Sequence, residues 1–216
     1  MNQRNYQKEL DRILDRLEQE GKVPSLLLHS CCAPCSSYVL EYLSRYFSIT
    51  VFYFNPNIYP PEEYGERERE QERLIAEMDV CHPVRFLKGT YDPDVFYRTV
   101  KGLEKEPEGG GRCTECFRLR LREAAGQAAA GGYDFFATTL TISPLKDARR
   151  LNDIGEEEGR AAGVAFLPSD FKKRNGYKRS LELSALHHLY RQDYCGCVFS
   201  REERRRQKEE TEAGKK

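Results

Sequence analysis

The chain has 216 residues, of which 39% are hydrophobic and 32% are charged, so it is long enough for one domain with a full core. Its 35 basic and 35 acidic residues balance, which excludes nucleic-acid binding through overall charge and leaves only local patches for it. No stretch approaches the roughly 20 apolar residues of a membrane span and no signal peptide is recognisable, so we expect a cytoplasmic protein without a membrane partner.

Helical and strand patterns alternate along the chain. Apolar residues at helical spacing predict an amphipathic helix over 6–20, which Gly21 ends. The later pattern predicts strands over 23–30, 49–54, 84–87, 133–139 and 164–167, and helices over 37–47, 60–78, 92–103, 116–130, 147–162 and 180–190. The charged residues 201–216 predict a frayed helix or a disordered tail.

This order of elements predicts an α/β fold with three layers around a mainly parallel sheet, because a helix between two parallel strands makes a right-handed crossover. We assign residues 1–21 to an N-terminal helix, 22–200 to the α/β domain and 201–216 to the tail. The loops after the first and fourth strands are expected to meet at one edge of the sheet, where α/β proteins bind their ligands.

Seven of the eight cysteines fall in three short segments. Cys31, Cys32 and Cys35 follow the first strand, and Cys113 and Cys116 form a second group. Two CxxC pairs in a reducing compartment suit tetrahedral zinc or an iron–sulfur cluster better than disulfides. A structural zinc site is an alternative, but zinc-binding pairs usually lie about 15–20 residues apart and need no adjacent third cysteine. The wide separation and the surplus sulfur favour a cluster with an open position.

The third segment, Cys195-Gly196-Cys197, is a separate feature. A disulfide across one residue closes a small, strained ring, and strained disulfides have the more oxidising potentials of labile or catalytic pairs. The alternative is that both cysteines are further metal ligands or unpaired thiols.

Three other features have ordinary structural interpretations. Residues 62–77 hold seven acids and three arginines, which is typical of a solvated helix face. The lone Cys81 is expected to be buried as a small apolar side chain. His29, in the first strand, is expected to be a hydrogen-bonded core histidine, with a donor role beside a metal ligand as the alternative.

Basic residues cluster near the cysteines. Each run taken alone is typical of a solvated face, but arginine with nearby aromatic residues suits phosphate contacts and stacking on unpaired bases. Two such runs after metal-site segments favour a nucleic-acid surface. The runs are Arg112, Arg118, Arg120 and Arg122 around the second cysteine pair, and Arg149, Arg150, Lys172, Lys173, Arg174, Lys178 and Arg179, with Phe171 and Tyr177, later in the chain.

Five motifs stand in order along residues 24–200. They are His29-Ser30-Cys31-Cys32-Ala33-Pro34-Cys35, Asn55-Pro56-Asn57-Ile58, Arg112-Cys113-Thr114-Glu115-Cys116-Phe117-x-x-Arg120-Leu121, Thr139-Leu140-x-x-Ser143-Pro144-x-Lys146 and Tyr190-Arg191-Gln192-x-Tyr194-Cys195-Gly196-Cys197. Together they resemble the epoxyqueuosine reductase QueH family. The resemblance implies a fold like the adenine-nucleotide α-hydrolase (HUP-like) group, here with extra helices.

The resemblance also implies the last step of queuosine synthesis, in which epoxyqueuosine at the wobble position of a tRNA anticodon loses its epoxide oxygen without cobalamin. An external electron donor such as a ferredoxin or a flavodoxin is expected. We expect contacts to the tRNA anticodon arm from Arg118, Lys172, Lys173, Arg174, Lys178 and Arg179.

The family's site residues correspond to cysteines of this chain, which makes 22–200 the expected metal-binding catalytic domain. The ligands of a [4Fe–4S] cluster correspond to Cys31, Cys32, Cys113 and Cys116. The redox-active, catalytic pair corresponds to Cys195 and Cys197, and a further iron is implied with Cys35 as its ligand.

Two rival functions predict different properties. A zinc-stabilised tRNA-binding module without catalysis predicts a colourless protein with zinc and no iron. A tRNA thiolase or ATP pyrophosphatase of the same fold group would need an SGGxDS-like loop where this chain has residues 31–35, so ATP use is disfavoured.

Removing an epoxide oxygen needs two electrons, whereas a [4Fe–4S] cluster normally passes one at a time. The second would come from an adjacent iron or from the dithiol of residues 195 and 197.

Overall fold

A central sheet of five parallel strands organises the computed structural model, which describes residues 4–213. The strands are β1 (Ser25–His29), β2 (Ser48–Tyr53), β3 (Val84–Lys88), β4 (Phe135–Thr138) and β5 (Ala165–Phe166). Their order across the sheet is β3-β2-β1-β4-β5, and every pair is parallel. This is a doubly wound order, in which the chain changes direction across the sheet between β1 and β4.

Helices cover both faces of this sheet. They are α1 (Tyr6–Glu20), α2 (Ala33–Leu43), α3 (Pro61–Glu77), α4 (Pro93–Thr99), α5 (Gly111–Ala130), α6 (Ala148–Ala162), α7 (Gly176–Leu186) and α8 (Val198–Ala213). Helices α1 and α2 pack on one face, whereas α5 and α6 pack on the other. The predicted three-layer α/β fold with a parallel sheet is therefore confirmed. Within the described part of the chain, no helix has both the length and the apolar character that a bilayer crossing requires.

Side-chain alternation along β1 explains why this strand lies at the centre. Leu26 and Leu28 enter the core under α1 and α2, whereas Leu27 enters the core under α5 and α6. All three leucines are fully buried, as expected for a strand that is covered on both faces.

Helix α1 has the predicted bounds because local capping signals are strong at both ends. The side chain of Asn5 accepts a hydrogen bond from the backbone N–H of Lys8 at 3.0 Å, and Gly21 ends the helix with a φ of 62°. A left-handed residue at this position favours glycine.

Three other helices begin earlier than the spacing of apolar residues predicted. Helix α2 begins at Ala33 instead of 37, helix α5 begins at Gly111 instead of 116, and helix α7 begins at Gly176 instead of 180. In α2 the early start is explained by Pro34, which is tolerated in the first turn of a helix. As a consequence, Cys35 and Cys113 lie on the first turns of helices instead of in loops.

Two expectations about exposure need correction. Arg67 and Gln71 on α3 are buried, so this helix is not simply a solvated face. Cys81 is exposed in the connection between α3 and β3 and is not buried as expected. Of the two alternatives for the tail, residues 201–213 have the helical one, since they continue α8, and Lys208 and Arg204 form ion pairs with Asp193. Residues 214–216 lie outside the described part.

Candidate metal centre

The candidate site lies at the carboxyl ends of β1 and β4, where the order of the strands reverses. A cavity of about 200 Å³ opens there, and both loops contribute to its wall. This confirms the expectation that the loops after the first and fourth strands meet. Lining residues from these loops, from α7 and from the third cysteine segment include Cys31, Cys32, Cys35, Ser143, Lys146, Tyr177, Ser180 and Cys195.

The first cysteine segment forms a group of three converging sulfurs. The Sγ atoms of Cys31, Cys32 and Cys35 all lie within 4.8 Å of one another, and those of Cys31 and Cys32 are 3.9 Å apart. Thiolates around one tetrahedral ion with metal–sulfur bonds of about 2.3 Å have similar separations. The three sulfurs therefore have the separations expected for ligands of one metal ion.

The position of Cys32 makes it the most acidic of these thiols. It precedes the first turn of α2, and the thiols of Cys31 and Cys35 hydrogen-bond to it. These bonds, with the charge of Arg67, hold the pKa of Cys32 well below its ordinary value although burial opposes the shift. One member of the group is thus suited to ligation as a thiolate.

The second cysteine pair lies on the first turns of α5. Cys113 and Cys116 are three residues apart and therefore share one helix face, and the N–H of Gly109 donates to Cys113 Sγ at 3.2 Å. Burial raises the pKa of the Cys116 thiol to about 12. Among the described residues, neither sulfur belongs to the converging group of Cys31, Cys32 and Cys35.

The third segment connects the two others. Cys195 lines the 200 Å³ cavity, and together with Cys197 it also lines a small cleft beside Cys113 and Cys116. Gly196 between them has a φ of 127°, and a Cβ atom there would lie 3.1 Å from both Arg67 Nη1 and Ile58 Cγ1. A glycine is therefore needed to bring this segment so close to α3. All eight cysteines are free thiols in this structure.

Buried cations surround these thiols, in a position that the sequence pattern did not indicate. Arg67 and Arg120 are each 1% exposed. Arg67 donates to Glu63 Oε1 at 2.8 Å and to the carbonyl of Cys195 at 3.3 Å, whereas Arg120 donates to the carbonyl of Cys116 at 3.2 Å. A signal for Arg67 was present, because Tyr64, Arg67, Gln71 and Leu74 form the buried helical stripe of α3.

Buried N–H donors without a partner show whether this site suits a bound metal–sulfur group. Arg120 Nη2 and Gln71 Nε2 are buried without a hydrogen-bond partner in the described part of the chain. The amide of Gln71 is oriented by Ser30 and Ser36, whose hydroxyls both donate to its Oε1 at 2.8 Å. Buried donors need acceptors, and thiolate or sulfide sulfur supplies them. Soft thiols together with unpaired N–H groups fit an anionic metal–sulfur group.

His29 is a core histidine, which confirms the first of its two interpretations. It is fully buried between Phe54, whose carbonyl lies 3.1 Å from Nε2, and Thr138, whose hydroxyl lies 3.0 Å from Nδ1. Because a carbonyl only accepts, Nε2 carries the proton and Nδ1 accepts from Thr138. Burial, with the charge of Arg120, lowers the pKa of His29 to about 4, so the ring is neutral at pH 7.

The predicted tRNA-binding residues have different surroundings. Lys173 and Lys178 are exposed and form no ion pair with any described residue. Lys172, Arg174 and Arg179 do form ion pairs, with Asp170, Asp11 and Glu41. Arg118 pairs with Glu157 and Glu158 on another surface, and it does not line the cavity. The run after residue 171 adjoins the cavity, because Tyr177 and Ser180 are part of its wall.

The fold and the site define a class: an α/β protein with a group of cysteines that could hold a metal ion at the switch point of its sheet. A sequence model described as "Epoxyqueuosine reductase QueH" matches residues 26–203, and the chain belongs to this family. The resemblance inferred from the five motifs is thereby confirmed, and the family makes the chain an oxidoreductase.

Individual relatives agree with the family match. The epoxyqueuosine reductase QueH of Staphylococcus epidermidis is 44% identical over 200 residues, which cover 91% of this chain and 84% of the relative. The protein of the same name from Streptococcus pyogenes is 44% identical over 198 residues, covering 91% and 78%. Among solved structures, a predicted subunit of a tRNA methyltransferase from Methanocaldococcus jannaschii superposes with a TM-score of 0.49 at 11% identity, covering 76% of this chain and 74% of that one.

Proposed function

We propose that this protein reduces epoxyqueuosine in tRNA to queuosine and that it does so without cobalamin. The observation that carries the proposal is the family match over residues 26–203, which includes all three cysteine segments around the cavity. The reaction consumes the epoxide, two electrons and two protons, and it yields an alkene and one water. Since the substrate is a tRNA, we place the reaction in the cytoplasm.

The metal centre of the proposal uses the first two cysteine segments. Cys31, Cys32, Cys113 and Cys116 would hold a [4Fe–4S] cluster, and Cys35 would hold a neighbouring iron. When bound, the cluster supplies electrons one at a time and the iron acts as a Lewis acid towards the epoxide oxygen. Support comes from the shared sulfur group of residues 31, 32 and 35, because a thiol so close to two cluster ligands suits an adjacent metal.

The cavity limits how much of the substrate enters. Its volume of about 200 Å³ lies below the roughly 300–1,000 Å³ of pockets that enclose whole drug-sized ligands. The epoxide-bearing ring of the modified nucleoside therefore enters, while the rest of the anticodon arm stays outside. Cys31, Cys32 and Cys35 lie on the cavity wall, so the epoxide meets the metal-binding segment directly.

The proposal assigns the redox role to Cys195 and Cys197. Oxidation of two thiols to a disulfide releases two electrons and two protons, which balances the deoxygenation of one epoxide. Support comes from the position of Cys195, which lines both the cavity and the cleft beside Cys113 and Cys116. A small electron-transfer protein of the ferredoxin or flavodoxin type would then reduce the disulfide.

The proposal assigns anticodon-arm contacts to the basic run beside α7. Lys173 and Lys178 are exposed next to Tyr177 and Ser180 of the cavity wall, and phosphates attract such unpaired ammonium groups. Lys172, Arg174 and Arg179 would contribute weaker contacts because they already form ion pairs. Arg118 has the least support in this set, since its two glutamate partners lie away from the cavity.

The test is anaerobic purification followed by a reaction with tRNA that contains epoxyqueuosine. The expected protein is coloured and contains iron and sulfide, and with a chemical reductant it converts the modified nucleoside to a product lighter by one oxygen atom. The conversion should proceed without added cobalamin. A colourless protein that contains zinc and no iron, and that binds tRNA without converting it, would replace this function by that of a tRNA-binding module.

A further inference from the structure

Arg120 is a buried cation that makes no ion pair with a carboxylate in the part of the chain the structure describes. Its side chain is 1% exposed and its Nε donates to the carbonyl of Cys116, whereas its Nη2 has no hydrogen-bond partner among residues 4–213. Burial opposes the charge, yet the neighbouring thiols, with Cys116 and Cys195 foremost, raise the pKa of Arg120. The ionisable groups nearest to this guanidinium are therefore the thiols of the cysteine segments.

Other arginines near it show the usual arrangement. Arg122, two residues later on α5, pairs with Glu158 at 3.0 Å, and buried Arg67 pairs with Glu63 at 2.8 Å. A buried charge without a partner of opposite sign is costly in a protein interior. Arg120 differs from both residues in having no such partner, which points to a bound anion beside it.

Lys146 is a second cation beside the cysteines, and it is partly buried. It lines the 200 Å³ cavity together with Cys31 and Cys35, and it lines a neighbouring cleft together with Cys113 and Cys195. Among the described residues, no carboxylate forms an ion pair with its ammonium group. Arg120 and Lys146 thus approach the two groups of proposed ligands, one from the buried side and one from the cavity.

We propose that Arg120 and Lys146 are the counter-cations of the metal centre and that they raise its reduction potential. This inference rests on the proposed function, because the compensated charge belongs to the ligated thiolates and to the cluster. Four thiolates give a cluster a net negative charge, and each added electron increases that charge. Fixed positive charges stabilise the reduced state more than the oxidised state, and an N–H donor on sulfur acts in the same direction.

The test is a redox titration of the anaerobically purified, iron-loaded protein, in which visible absorption reports the fraction of reduced protein. The variants Arg120→Gln and Lys146→Met each remove one positive charge. Each should make one-electron reduction at least tenfold less favourable, which corresponds to a shift of about 59 mV towards more negative potential. Arg122→Gln is the matched control, since it removes the same charge from the same helix at a side chain that is 66% exposed and paired with Glu158.

A third variant separates charge from packing. Arg120→Lys keeps the positive charge, so its potential should lie between those of the wild type and Arg120→Gln, whereas a purely structural role predicts equal effects of both substitutions. If Arg120→Gln does not fold, the redox titration of Lys146→Met tests the proposal instead. Position 146 borders the open cavity, so a substitution there disturbs the packing less.

The failure of this inference is distinguishable from failure of the proposed function. Iron-loaded variants at positions 120 and 146 with the potential of the wild type would overturn the counter-cation role alone. A wild-type protein without an iron–sulfur absorption band would overturn the proposed metal centre, and the counter-cation role with it.

Discussion

The two faces of the sheet are packed with different side chains, although the same strands supply both. On the α1–α2 face the core is largely aliphatic, with Leu10 and Leu14 of α1 above Leu26 and Leu28 of β1. On the α5–α6 face, aromatic residues and alanines surround Leu27, and this core ends in Cys31 and Cys32. One face is closed by apolar contacts, whereas the other carries sulfur at its edge.

This difference indicates that stability and chemistry are largely carried by opposite faces. Apolar burial contributes free energy wherever it occurs, whereas metal ligation needs particular atoms at particular places. Substitutions on the α1–α2 face should change the free energy of unfolding and leave metal content intact. Substitutions at the sulfur-bearing edge should lower the metal content and change the free energy of unfolding less.

The largest effect is expected from Cys113→Ala at the sulfur-bearing edge. Loss of one proposed cluster ligand should remove most of the iron and its visible absorption, and with them the reductase activity. Iron analysis of the folded variant checks this. Cys81→Ala is the control because Cys81 is exposed and does not line the cavity or the cleft beside the three segments. Full iron content in Cys113→Ala would show that Cys113 is not a cluster ligand.

The second prediction concerns the dithiol. Cys197→Ser should retain iron but stop after about one turnover, because the metal centre can still deliver its stored electrons while their resupply through the 195/197 pair is lost. Iron content and single and multiple turnover, measured on one preparation, check this. A reduced iron content would instead identify Cys197 as a metal ligand, and normal multiple turnover with normal iron would reject both roles.

The third prediction tests the aliphatic face. Leu10 is fully buried, so Leu10→Ala should lower the free energy of unfolding by about 2–5 kcal/mol through lost burial and a cavity. The iron content per folded molecule should stay at the wild-type value. Denaturant unfolding combined with iron analysis measures both quantities. Loss of iron from folded Leu10→Ala would show that the two faces are coupled.

The smallest effect is expected at the rim of the cavity. Neutralising Lys173 and Lys178 together should weaken tRNA binding several-fold and reduce the slope of log affinity against log salt by about 1 per lost phosphate contact. The matched control neutralises Arg174 and Arg179, whose charges are already paired with Asp11 and Glu41. If the Lys173/Lys178 variant and the wild type bind tRNA with equal affinity across a salt series, these lysines do not contact tRNA and belong to a solvated surface.

Much of the fold could be predicted from the sequence because the relevant signals are local. The five strands, the order of helices and the parallel sheet follow from hydrophobic periodicity and turn residues within each element. The family could be identified from its motifs for the same reason, since each motif is a short run around one turn. Helix starts were less predictable: the apolar stripe of α2 begins later than the helix, whose first turn contains Pro34 and Cys35.

The sequence by itself therefore determined the fold class, the family and the set of cysteines, whereas the tertiary structure decided what surrounds those cysteines. The charged sequence of α3 predicts solvent exposure. Arg67 and Gln71 are nevertheless buried, because α3 packs beside the first cysteine segment and the Cys195 segment. The surroundings of Arg120 are likewise decided by tertiary structure, because its neighbours Cys31 and Cys195 come from distant segments of the chain. Periodicity describes which face of one helix is apolar, but burial of a charge depends on what the rest of the chain places opposite it.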